Sequence, residues 1–231
     1  MAVRSAFALG LHRVLETRII FSGEEAVVRR NLWRSLFVLD RFLAASLGRP
    51  TAISEEDCSP DALDSPGKAV DGISSQYPPP VNFENDGLDA SVEACKVIGR
   101  ILKKVYAKRK ANMRKAQVFA DEIRRLEQFT QDDLHYQRAI SADVDASHGI
   151  AILHVNLLCC HSAILYTRPF FLYLIIKDHR SEKSGSRRPP RLNPRMEKFA
   201  SHCVTTSTHT VNLVQTALDR NYLPQRNPFV L

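Results

Sequence analysis

The five cysteines of this 231-residue chain, Cys58, Cys95, Cys159, Cys160 and Cys203, include no pair separated by two residues. The short ligand spacing that zinc sites favour is therefore missing. No apolar h-region or small-residue cleavage pattern opens the sequence, so thiols in a reducing interior are expected rather than a secreted disulfide framework. Glycine is sparse, with 9 residues, and builds neither a phosphate loop nor a Gly-x-Ser-x-Gly elbow; a His-Glu-x-x-His pair is lacking too. The chain reads as no enzyme. Asp132-Asp133 reads as surface charge rather than a general acid/base couple, and Asp121, Glu122 and Glu127 each have Arg124 or Arg125 three or four residues away, as on an exposed helix. An uninterrupted membrane-length apolar run is also wanting. The segment 150–176 is broken by His154, Asn156, His161, Arg168 and Pro169, which predicts a buried core helix and no membrane partner.

What the sequence does contain is helical periodicity. With 44% hydrophobic residues, a chain of this length can bury roughly 70% of its unfolded surface. Val3, Phe7, Leu11, Val14 and Leu15 predict a first helix, and Ser22-Gly23-Glu24-Glu25 has the capping-box pattern ahead of a second. Further helices are expected near 88–112, 117–136, 148–178 and 196–220. Their stripes are marked by Val92, Cys95, Gly99, Leu102 and Tyr106 in one case and by Phe199, Cys203, Val211, Val214 and Leu218 in another. The predicted fold is all-α, an irregular multi-helix domain with two Pro/Gly-rich linkers. Its parts are a helical segment 1–57, a linker 58–87 and a helical remainder 88–231, with a basic loop at 183–195. Both ends read as cut. Asn227-Pro228 announces a helix that the tail is too short to build, and Met1 starts almost directly on an apolar-faced helix. A fragment or shortened gene product with exposed apolar surface is expected.

The most informative stretch runs from Arg29 to Pro50. Leu32, Leu36, Leu39, Leu43 and Leu47 recur at steps of four and three, and Trp33 and Phe37 widen that stripe, which predicts a buried leucine face. Gly48 is the expected C-cap, with Pro50 just beyond. Asp40 and Arg41 have no opposite charge three or four residues away, so their partners must come from elsewhere in the fold or from solvent.

These pieces carry a resemblance. Leu9-Gly10-Leu11-His12-Arg13, the basic pair before Trp33, Leu39-Asp40-Arg41 and Leu47-Gly48-Arg49-Pro50 together resemble the regulatory middle region of fungal zinc-cluster transcription factors, the xylanolytic-activator-type regulatory domain. Ala52-Ile53 with Asp57, the run Leu153 to Leu165, Thr167-Arg168-Pro169-Phe170-Phe171 and Asn227-Pro228-Phe229 agree with it. The resemblance implies a nuclear regulatory or effector domain acting on RNA polymerase II genes. It implies a scaffold role for Trp33, Asp40, Arg41, Gly48, Arg49 and Pro50, the alternative being solvated charges at a helix end. It also implies that zinc and DNA contact belong to a six-cysteine cluster absent from this chain, which itself takes no cofactor. Expected partners are transcriptional co-regulators or a small effector, with homodimerisation in the full-length protein.

Two further features remain. Lys96, Arg100, Lys103, Lys104, Lys108, Arg109, Lys110, Arg114 and Lys115 cluster along one helix and its exit, and without them the net charge of +7 would vanish. Lys103, Lys104, Lys108, Arg109 and Lys110 read as a nuclear-import or phosphate-contacting patch, or as a solvated helix face. His154 and His161 lie seven apart on one helix face. Two turns is too far to share one ion readily, so they read as core or ligand-groove histidines rather than metal ligands.

Overall fold

The computed structural model describes residues 2–64, 83–107, 114, 116–122, 124, 146–183 and 193–219, and all regular structure among them is helical. The helices are α1 (Ala2–Ala8), α2 (Val14–Ile20), α3 (Gly23–Leu47), α4 (Phe83–Ile101), α5 (Ala146–Lys183) and α6 (Pro194–Asp219). A 3₁₀ turn covers Glu55–Asp57, a π-turn Leu102–Tyr106 follows α4, and 116–122 is a short helical stretch. The protein is all-α as its periodicity predicts. The Pro/Gly-rich stretches at 65–82 and 184–192, most of the expected helix 117–136 and the Asn227-Pro228-Phe229 tail lie outside the described residues.

Two compact units form, Met1–Lys96 and Val97–Leu231. Composition places the break at 58–87, whereas the first unit runs on into α4. Specific contacts account for that. Asp89 is ion-paired to Arg34, Lys96 lies 3.7 Å from the Asp64 carboxylate, and the Cys95 thiol points at the Val38 carbonyl, 3.8 Å away.

In the first unit, α3 begins with the capping box read from the sequence. Ser22 Oγ accepts from the Glu25 N–H at 3.4 Å, and Glu25 Oε2 accepts from the Ser22 N–H at 3.2 Å. The helix ends at Gly48, whose left-handed φ of 65° lets the Arg49 N–H return to the Ala44 carbonyl at 3.0 Å. This is the six-to-one bond of a Schellman motif, which an L side chain at Gly48 would strain. The first expected helix is corrected to two short ones. Gly10 takes φ 68°, the Leu11 N–H bonds the Ala6 carbonyl at 3.1 Å, and a new helix starts at Val14, whose N–H donates to Ser59 Oγ at 3.3 Å. Leu15 consequently points outward.

The leucine stripe is the main correction. Leu32, Leu43 and Leu47 are 50%, 43% and 59% exposed, while Trp33 and Phe37 are fully buried with Val38, Ala44, Arg30, Arg34 and Arg41. The helix is thus turned by its aromatics. Trp33 packs edge-on against Phe7 at 5.2 Å and beside His12 at 5.9 Å, and the Arg41 guanidinium lies 4.3 Å over the Phe37 ring. Such aromatic contacts add about 0.5–1.5 kcal/mol beyond area burial, a term that leucines do not supply.

In the second unit α5 and α6 pack along one another. Phe199 stacks on Phe170 at 5.2 Å and meets Tyr166 edge-on at 6.2 Å. By length and composition the stretch Ile150–His179 could cross a membrane, yet 56% of its most apolar window is buried inside the protein. Its C-terminal part leaves Leu172, Tyr173, Ile175 and Ile176 exposed. Pro169 sits inside α5 and has no N–H for the Leu165 carbonyl. That carbonyl accepts instead from the Tyr106 hydroxyl at 2.9 Å. On α6 the expected stripe holds only in part: Ala200, Cys203, Thr206 and Ala217 are buried, but Val211 and Leu218 are more than half exposed.

Candidate functional site

The site is α3 itself, a helix whose basic residues hold four separate parts of the first unit. Near its start the Arg29 guanidinium lies 4.0 Å over the Phe21 ring and donates to the Leu9 carbonyl. One position on, Arg30 donates to the Asp61 carbonyl, with the Asp61 carboxylate 3.7 Å away. A turn later Arg34 pairs with Asp89 of α4 and approaches the Asn31 side-chain oxygen at 3.3 Å. Arg30, Arg34 and Arg41 are among the most buried charged residues described, at 6%, 0% and 3% exposure. Burial pushes Arg30 below the usual arginine value, and Asp61 pulls it back up. Uncompensated charges in such positions would cost several kcal/mol each, so the acceptors are a condition of this packing.

Asp40 and Arg41 close the helix onto the loop after it. Asp40 accepts two backbone bonds, from Ala52 N–H at 2.9 Å and Ile53 N–H at 3.1 Å, while Arg41 Nη1 lies 2.8 Å from the Asp40 carboxylate. The same guanidinium donates to the Ile53 carbonyl at 2.9 Å and reaches Glu55 at 3.5 Å. Donors and acceptors of the loop are thereby matched by one anion and one cation, and Ile53 is fully buried beneath them. This arrangement positions backbone. It offers no nucleophile: the nearby Cys58 thiol is pushed up by burial, which the Trp33 indole N–H only partly offsets, so it stays protonated.

The remaining residues singled out from the sequence are spread apart. Gly48 ends α3, and Arg49 and Pro50 are exposed. Lys103 and Lys104 are exposed on the π-turn, and Lys108, Arg109 and Lys110 lie outside the described residues. Neighbouring members of that basic cluster are paired: Lys96 with Glu93 at 2.8 Å, Arg100 with Glu122 at 2.9 Å. His154 and His161 are half-buried on α5, and burial pushes both below the usual 6.5, which keeps them neutral at pH 7. Among the described residues no group of three or more His, Cys, Asp or Glu could hold a metal ion. A cavity of about 290 Å³ lies in the first unit instead, between α2 and the first turns of α3.

From the sequence, Arg30 stands out only as one of the basic pair before Trp33, and Arg34 has no role assigned. Arg30, Arg34, Phe37, Arg41 and Ala44 recur at the same four-three spacing as the leucines, and acids at 61 and 89 stand ready to pair with them. A stripe holding three arginines does not look like a core until its acceptors are placed.

Residues 1–132, more than half of the chain and all of the arginine-held segments, match the fungal specific transcription factor domain. The chain belongs to that family. It is 25% identical over 203 residues to filamentous growth regulator 27 of Candida albicans, a match that covers 85% of this chain and 23% of that protein. It is 22% identical over 228 residues to the uncharacterized transcriptional regulatory protein C3C7.04 of Schizosaccharomyces pombe, covering 96% and 26%. A second S. pombe transcriptional regulatory protein, C1F7.11c, is 45% identical over 56 residues, which cover 24% of this chain and 7% of that one. The chain thus spans about a quarter of the length of the first two of these relatives. No solved structure matches it.

Proposed function

We propose that this chain is the regulatory or effector-responsive domain of a zinc-cluster transcription factor of the xylanolytic-activator type, acting on RNA polymerase II genes in a fungal nucleus. The observation that carries this reading is the family match over residues 1–132, which takes in α3 and every segment its arginines hold. DNA contact then depends on a six-cysteine cluster outside this chain. Zinc belongs to that part, and this domain works without a cofactor of its own. Its helices restrain or release an activation segment in response to a metabolite or a co-regulator. The exposed Arg49, Pro50 and leucine edge of α3 are surfaces that a co-regulator, or a second copy in the full-length protein, would touch. Lys103 and Lys104, with Lys108, Arg109 and Lys110, supply nuclear import.

A fusion of this chain to a heterologous bacterial DNA-binding domain, read on a reporter in fungal cells, tests the proposal. Reporter output should differ from that of the DNA-binding domain alone, and alanine at Lys108, Arg109 and Lys110 should reduce nuclear accumulation. A stably expressed nuclear fusion that leaves transcription untouched would overturn the regulatory reading. A second reading is a helical small-molecule- or protein-binding module without a direct gene-regulatory role, and the cavity beside α3 favours its small-molecule form. Ligand binding together with an unresponsive reporter would select it.

A further inference from the structure

The cavity between α2 and the start of α3 is a half-open cleft of about 290 Å³, near the lower end of what small-ligand sites occupy. Leu11, Val14, Ala26 and Val27 give it apolar walls, and no carboxylate lines it; its charged lining is Arg18 and Arg30. Arg30 is only 6% exposed. One of its terminal nitrogens donates to the Asp61 carbonyl and lies 3.7 Å from the Asp61 carboxylate. Arg18, on the exposed side of α2, makes no ion pair among the described residues. Its charge adds to the burial that already holds Arg30 below the usual arginine value. Two guanidiniums thus flank an apolar cleft: that of Arg30 is held by the Asp61 carboxylate 3.7 Å away, and that of Arg18 has no ion pair among the described residues. An anion in the cleft would meet Arg18 directly and offset the repulsion between the two guanidiniums.

We infer that this cavity binds a small monocarboxylate with an apolar body of about ten non-hydrogen atoms, the size its volume admits. The carboxylate sits between the guanidiniums of Arg18 and Arg30, whose planar forks match its two oxygens. The body lies along Leu11, Val14 and Val27. A free phosphate fits less well, because four apolar side chains would replace its hydration with nothing.

The test is titration of the full 231-residue chain with octanoate, followed by calorimetry and ligand-observed NMR, with octanamide as the uncharged isostere. Octanoate should bind saturably in the millimolar range or tighter and raise the melting temperature. Loss of a charge-assisted contact predicts that octanamide binds at least about tenfold more weakly. Arg18→Glu should weaken octanoate to a similar degree without lowering the unliganded melting temperature, since Arg18 is exposed and its charge repels Arg30. Val27→Trp should fill the cleft and abolish binding. Equal affinity for octanamide, undiminished binding in either variant, or no saturation would each overturn the assignment. Because these readouts involve no transcription, such a failure leaves the regulator reading standing, and a silent reporter leaves this one standing.

Discussion

Arg34, fully buried on α3, is ion-paired with Asp89 on α4, 55 residues further along the chain. The two partners are not equivalent, because the Asp89 side chain is 24% exposed and Arg34 is not exposed at all. Removing Asp89 strands a cation in the interior; removing Arg34 leaves a carboxylate that water can reach. Asp89→Ala should therefore destabilise the first unit by about 3–5 kcal/mol, the usual cost of breaking a buried pair. Arg34→Met together with Asp89→Ala should recover most of that loss. A denaturant series on the two single variants and the double variant gives the coupling. Additive losses would mean that the pair does not hold α4 to α3.

The Asp40–Arg41 clasp makes a sharper contrast with its neighbour in the same motif. Asp40→Ala deprives two backbone N–H groups of their acceptor and leaves Arg41 without its nearest anion. A loss of about 3–5 kcal/mol is expected by thermal or chemical unfolding. Arg49 is exposed and lies two residues outside α3, so Arg49→Ala should stay within about 0.5 kcal/mol of the parent. If Arg49→Ala alters transcription without altering stability, its place in the motif is that of a contact surface.

Phe37→Ala should cost about 3–5 kcal/mol, as expected for a buried aromatic, whereas Leu32→Ala and Leu43→Ala should each cost under about 1 kcal/mol because their side chains are already half in water. The same comparison marks the limit of what the sequence discloses. Capping at Ser22 and Glu25 and termination at Gly48 were legible, because those signals act over four residues. Orientation of α3 was not. Two stripes with equal spacing compete along it, and the winner is decided by Asp61, Asp89 and the Ile53 carbonyl, all distant in sequence. The site was legible in part at Asp40 and Arg41, which find partners in the loop at 52–53 as their spacing implied but also pair with each other, a neighbour contact that a search three and four residues away overlooks. It was hidden where arginines merely looked soluble.

Stability should fall on mild acidification. Burial holds His154 and His161 below the ordinary 6.5, and His202 and His12 are lowered for the same leading reason. The unfolded chain therefore takes up protons first as pH drops through 6.5, and the native state loses stability until its own histidines are protonated. Melting temperature measured from pH 7.5 to 5 should decline from about pH 6.5 downward. His161→Gln should flatten part of that decline. A flat profile would mean that these imidazoles keep ordinary values in the fold.

Tyr106 and Pro169 should be coupled across the second unit. Pro169 cannot donate to the Leu165 carbonyl, and the Tyr106 hydroxyl does so from the π-turn after α4. Tyr106→Phe removes that donor and leaves the acceptor to find water, a loss of about 1–3 kcal/mol. In a Pro169→Ala background the residue at 169 has its own N–H, which can bond the carbonyl as an ordinary helical turn would. Tyr106→Phe should then cost measurably less. A double-mutant cycle by chemical denaturation reads the difference directly. Equal costs in the two backgrounds would show that Tyr106 contributes through its ring alone, and that the π-turn has another reason to exist than satisfying the proline break.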